Sequence, residues 1–234
     1  MEKTELKEIK KNNTGTGLLI ENDGYMSLAD TPGNRKLYEA HTRGEGWSVP
    51  DPFIVDAVFQ KYGIKNANGR IYPEAILKKQ VEAYQQKIAE HRAYGECNHP
   101  SESTIDLGRI SHNIIELHWE GHTLVGKMEL NISEGYRRFG MCSTLGDTAA
   151  NLLLNGYKIG VSSRGVGSVE QKLGQYVVGD DFELICWDLV SDPSTPNAWI
   201  GHPEELRAYV ESDGSKAGKG AVNEKIDRIN QILG

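Results

Sequence analysis

Cysteine is scarce in this 234-residue chain: Cys97, Cys142 and Cys186 are odd in number, far apart and in no metal-type spacing. A disulfide-stapled secreted scaffold is thereby excluded, and a reduced, intracellular protein is the expectation. Positive charge is also short. The 26 Lys and Arg against 33 Asp and Glu leave a net charge of −7, which speaks against general nucleic-acid binding. No apolar run approaches the length of a membrane span. Met1 to Lys11 is charged throughout, so no secretory leader is expected. A Walker-type loop is missing, because Gly165-Val166-Gly167 lacks the following lysine and helix. The Gly-x-Ser-x-Gly elbow of α/β-hydrolases is missing too, since Arg164 precedes the glycine and a strand pattern follows it. No internal repeat is evident. With 38% hydrophobic and 25% charged residues, the chain suits a soluble globular protein of one large domain or two small ones.

The elements that can be read are mostly strands. Residues 1–17 are polar and end in Asn-Asn-Thr-Gly-Thr-Gly, which reads as a flexible arm. Leu18-Leu19-Ile20 and Phe53 to Phe59 read as strands, with a loop over Thr31 to Pro52. Asn68-Gly69 supplies a turn, and Pro73 suits the start of a helix running to about Arg92. Leu77, Val81, Tyr84 and Ile88 form its apolar stripe. Leu107–Leu117 and Thr123–Leu130 read as a hairpin around Glu120-Gly121. A short helix over Leu145–Leu154 turns Ala149, Leu152 and Leu153 inward and stops at Gly156. Strands follow over 157–163, 166–172, 175–178 and 182–190, then a short helix over Pro203–Glu211. Residues 212–221 have linker composition, and Val222, Ile226, Ile229 and Leu233 give residues 222–234 an amphipathic helical tail.

Three stretches carry candidate chemistry. In Gly160-Val161-Ser162-Ser163-Arg164-Gly165 a strand runs out into two hydroxyls, an arginine and a glycine. A nucleophile needs a hydroxyl clear of its strand and N–H groups facing the oxyanion, and ordinary turn chemistry needs the same residue types. Gly95-Glu96-Cys97-Asn98-His99-Pro100 holds a histidine beside a stiffening proline, which suits a general base and equally a surface loop. Asp188 interrupts the apolar run Leu184 to Val190, where a buried carboxylate is costly without a partner. His112, His118 and His122 invite a zinc reading, yet His118 and His122 straddle a predicted turn and lack the His-Glu-x-x-His order. Alternating hairpin side chains account for them.

Four stretches together resemble the prohead core protein serine proteases of T-even-type tailed bacteriophages. They are Asn68-Gly69-Arg70-Ile71-Tyr72-Pro73, Gly95 to Pro100, Gly160 to Ser168, and Phe182 to Asp188 with Pro193-Ser194 and Ala198-Trp199. They occur in the family's order across roughly residues 50–203; Cys97 stands where a larger aliphatic residue is usual. The family is similar to the herpesvirus assembly proteases. The resemblance implies an α+β fold, a β-barrel-like core of mostly antiparallel strands surrounded by helices, with a protease domain over residues 18–211. It implies a maturation endopeptidase inside the immature head, assembled in the host cytoplasm. Scaffold or core proteins, capsid precursors and the enzyme itself would be cut, after glutamate in a hydrophobic-x-Glu context.

Carried onto this chain, the nucleophile is Ser162, the base His99 and the third member Asp188. Ser163, Arg164 and Gly165 would support the oxyanion. Adjacent strand residues point to opposite faces, so Ser162 and Ser163 cannot both meet His99. No metal or organic cofactor is implied, nor a nucleic-acid or membrane partner, while a homo-oligomer is compatible. Candidate self-cleavage sites follow Glu8, Glu21, Glu90 and Glu134: Glu8, in the arm, is expected to be cut first, Glu90, in a helix, to survive until the fold is lost, and the poorer Val222-Asn223-Glu224 context to be cut slowly. Two rivals stand beside this: a non-catalytic head-assembly protein with a protease-like fold, and a metal-dependent hydrolase built on the histidines.

Overall fold

The computed structural model describes residues 7–29, 31–43, 49–100 and 102–191. The readings made for residues 203–211, 212–221 and 222–234, and for Pro193-Ser194 and Ala198-Trp199, lie outside them. The architecture is mixed α+β, dominated by one nine-stranded sheet. Its strands are β1 (Gly15–Leu28), β2 (Ile54–Lys61), β3 (Arg70–Ile71), β4 (Tyr94–Glu96), β5 (Ile110–Glu120), β6 (Thr123–Leu130), β7 (Ile159–Lys172), β8 (Gln175–Val178) and β9 (Glu183–Val190). The order is β3-β8-β7-β1-β2-β6-β5-β4, with β9 also on β7. All pairs are antiparallel except β3 with β8. A single bridge, Cys97 to Leu189, and a 2.9 Å bond from the Asn98 N–H to the Leu189 carbonyl bring the end of β4 against β9.

Amphipathic periodicity explains the helices that were expected. Helix α2 (Glu74–Ala89) follows Pro73, which stands at its N-cap, and buries Leu77, Val81 and Tyr84. Tyr84 meets the edge of Trp187 with ring centroids 5.1 Å apart, and Phe59 meets the same indole at 5.3 Å. These aromatic edge contacts anchor the helix over β9. Helix α4 (Leu145–Leu154) opens with a capping box, Thr144 with Asp147, and Gly156 beyond it has φ +77°. Its inward face is Ala149, Ala150, Leu153 and Leu154, whereas Leu152, expected inward, is partly exposed.

Other expectations need correction. Helices α1 (Pro32–Arg43) and α3 (Glu134–Phe139) stand in segments read as loop or left unassigned. Strand β7 is continuous, with no break at Ser163 to Gly165, because β1 and β9 pair with it on either side there. The arm, where described, is not free. Ile9 is buried, its N–H bonds the Leu18 carbonyl at 2.9 Å, and the Leu18 N–H bonds the Lys7 carbonyl at 3.1 Å.

The Asn68-to-Pro73 stretch explains a buried charge. Glu21, on β1, is fully buried and takes Arg70 Nη1 at 2.6 Å, Asn66 and Asn68 Nδ2 at 2.7 Å each, and the Tyr72 hydroxyl at 3.0 Å. Arg70 also donates to the Ile9 carbonyl. Such saturation is what a buried ion pair requires, since each ion gives up its hydration. This stretch ties Ile9 and Asn12 to the sheet.

Candidate active site

Antiparallel register assembles the site. On β7 and β9, Ser162 lies opposite Asp188, Ser163 opposite Trp187, and Arg164 opposite Cys186. Directly opposed residues share a face, and neighbours along a strand alternate. Ser163 therefore shares the face of Trp187, Val161 and Leu189, which belongs to the hydrophobic core. Ser162, Arg164, Cys186 and Asp188 share the other face.

His99 reaches that face from β4. The parallel bridge between Cys97 and Leu189 sets the segment beside β9, and His99 Nδ1 lies 3.2 Å from Asp188 Oδ2. The Glu96 N–H donates to Asp188 Oδ1 at 3.1 Å. Close approach of the two strands needs Gly95: a Cβ there would lie 2.2 Å from the Trp187 carbonyl oxygen and 2.4 Å from His112 Nε2. The glycine of the Gly-Glu-Cys-Asn-His-Pro stretch is thus a contact residue between strands.

Asp188 is fully buried and its charge is compensated. Arg164 Nε donates to Oδ2 at 2.9 Å and Nη2 to Oδ1 at 3.3 Å. Burial pushes the carboxyl pKa up, but the His99 bond, the Arg164 charge and the Glu96 N–H outweigh it and hold it below the ordinary value. With Asp188 ionised, His99 Nδ1 donates, and the neutral ring carries its lone pair on Nε2. Burial pushes the Cys186 thiol well up, helped by the Asp188 charge, so it remains S–H and donates to Asp188 Oδ1 at 3.3 Å. Burial opposes the Arg164 charge, yet the carboxylates of Asp188 and Glu96 raise the guanidinium pKa above its ordinary value.

Ser162 is fully buried, and its Oγ makes no hydrogen bond. A substrate carbonyl reaches this oxygen only if the packing over it opens. Beside His99, Asn98, Pro100, Glu102, Thr104, Asp106 and Arg109 line a surface cavity of about 340 Å³.

The expected oxyanion support is placed differently. The Arg164 guanidinium is held by Asp188, Glu96, Cys186 Sγ and the Glu102 carbonyl, turned to the carboxylates instead of an oxyanion. Ser163, Arg164 and Gly165 are paired to both β1 and β9, with a register shift after Arg164. A strand flanked on both sides commits its N–H groups to its neighbours. Gly165 answers a packing need, since a Cβ there would lie 2.4 Å from the Phe182 ring. Sequence reasoning also missed Glu96, whose only signal was an acidic residue three positions before His99. His118 pairs with Glu116 at 3.1 Å and Glu120 at 3.3 Å on the hairpin.

Comparison with known proteins gives a consistent answer. A family model described as prohead core protein serine protease matches residues 18–211. The prohead core protein protease of Enterobacteria phage T4 is 30% identical over 173 residues, covering 73% of this chain and 77% of that protein. The solved structure of the bacteriophage T4 capsid assembly protease superposes with a TM-score of 0.58 at 23% identity, covering 75% of this chain and 98% of that one. At that identity the superposition speaks for the fold.

Proposed function

The chain belongs to the family of prohead core protein serine proteases, and on that footing we propose that it is a maturation endopeptidase with Ser162 as nucleophile, His99 as general base and Asp188 as orienting carboxylate. The observation that carries the assignment is the His99–Asp188 hydrogen bond on the face where Ser162 is Asp188's cross-strand partner. Nε2 of His99 takes the Ser162 proton as Oγ attacks the scissile carbonyl, then gives it to the leaving amine. The resulting acyl-enzyme is released by water through the same base. Asp188 keeps the ring in the needed tautomer and stabilises the imidazolium.

The substrates of this proposal are the scaffold or core and capsid precursor proteins of an immature phage head, with the enzyme housed inside it. The cleavage context is hydrophobic-x-Glu, and the enzyme trims itself. A barrel of the herpesvirus assembly-protease kind is the finer fold proposal, supported by the isolated Cys97–Leu189 bridge just past the end of β4.

Cleavage of a peptide carrying a hydrophobic-x-Glu site, followed by mass spectrometry, tests the assignment. The parent protein should cut it, and Ser162→Ala and His99→Ala should not. A parent that binds capsid precursors without cutting any of them would favour the non-catalytic assembly role.

A further inference from the structure

We propose that Glu96 is a positioning residue: through the buried Arg164 guanidinium it holds Asp188, and with it His99, in place beside Ser162. The inference rests on the serine-protease reading of the site. Glu96 is fully buried and engaged from several sides. Its Oε2 accepts from Arg164 Nη2, its Oε1 accepts the Asp106 N–H at 3.0 Å, and Arg109 Nε stands 3.9 Å away. Its own N–H already holds Asp188. The segment from Cys97 to Asp106 thus begins and ends on this one residue, and His99 lies within it. Arg164 adds a tie through the Glu102 carbonyl at 2.5 Å, and Arg109 adds ties to the Cys97 and Asn98 carbonyls at 2.6 and 3.0 Å.

The charge pattern gives this arrangement a second consequence. Two buried carboxylates share one buried guanidinium. Remove the Glu96 charge, and Arg164 bears wholly on Asp188, which then stabilises the His99 imidazolium less. Remove the Arg164 charge, and both carboxylates act on His99 uncompensated. The two changes move the His99 pKa in opposite directions, whereas loosened packing would not.

Other ionisable groups surround the pair. On the loop these are Glu102, Asp106 and Arg109, and they are common to all variants. Cys97 and Cys186 beside it, Tyr84 on α2 and His112 on β5 are kept uncharged near neutral pH by burial.

The experiment titrates the His99 ring by NMR in the full chain carrying Ser162→Ala, which prevents self-cleavage. Glu96→Gln, which removes a buried negative charge, and Arg164→Gln, which removes a buried positive one, should move the His99 titration in opposite directions, down and up respectively. Arg164→Lys, which keeps the charge but loses the planar fork, should leave the pKa near the parent's value. In the active background both Glu96→Gln and Arg164→Lys should lower kcat at least tenfold with little change in KM. A His99 titration unaltered by Glu96→Gln in a folded protein, or moved by Arg164→Lys as far as by Glu96→Gln, overturns the proposal. An inactive parent would instead remove the protease reading, and the titration would still decide whether Glu96 acts on His99.

Discussion

Lowering the pH from 7.5 to 5 should destabilise the protein, with one histidine carrying a separable share of the loss. His112, on β5, is fully buried beneath the Gly95 crossing, with Ser111 Oγ 2.9 Å from its Nδ1. Burial pushes its pKa down from 6.5 to about 4, with the Asp188 charge pulling the other way. Between these values the unfolded chain binds a proton that the folded chain refuses, so stability rises with pH across this window and falls as pH drops. Each unit corresponds to about 1.4 kcal/mol, so lowering the pH from 7.5 to 5 removes roughly 2 kcal/mol. With a urea slope of about 2 kcal/mol/M, the unfolding midpoint moves down by roughly 1 M. Carboxylates titrate in the same range, and comparison with His112→Gln isolates the histidine. Urea unfolding of both proteins at each pH, in an inactive Ser162→Ala background, measures the difference. Should both lose the same midpoint on acidification, His112 is not held neutral and the packing argument fails.

Asp188→Asn should lower kcat by about 10⁴, the cost of the wrong histidine tautomer in a serine triad, in the peptide-cleavage assay. Ser163→Ala, on the core face, should retain cleavage while Ser162→Ala abolishes it; the reverse pattern would place the register one residue off. Gly95→Ala should cost about 2–3 kcal/mol in chemical denaturation, because its methyl group meets the backbone of β9. Self-cleavage after Glu8 or Glu21 should be slow in the folded protein, since Glu8 pairs with Leu18 and Glu21 is buried in β1. N-terminal sequencing of aged, folded protein should find few ends at Ile9 or Asn22; rapid appearance of either would refute the protection argument.

Local pattern determined a good deal by itself. The stripe of α2, the span of α4 and the start of β6 follow from side-chain periods and from Pro, Gly and capping residues. Those signals act within a few turns and need no distant partner. Residue chemistry left a turn, a surface loop and a strand-end aspartate open as readings, and the family resemblance of the ordered motifs put Ser162, His99 and Asp188 forward as candidates before any contact was known. Short elements without a period, α1, α3 and β4, gave no such signal, and the polar composition of the first residues hid their pairing with Leu18. Only the tertiary structure decided what Arg164 does. As a residue after two serines it suggested an oxyanion ligand, but its partners Glu96 and Asp188 lie 68 and 24 positions away. The register of β9 on β7 and the close approach of β4 to β9 at Gly95 bring these ions together, and burial then demands that their charges be matched. Strand register is a long-range choice settled by which face must be dry, so one sequence read alone carries the residues of this site but not their pairing.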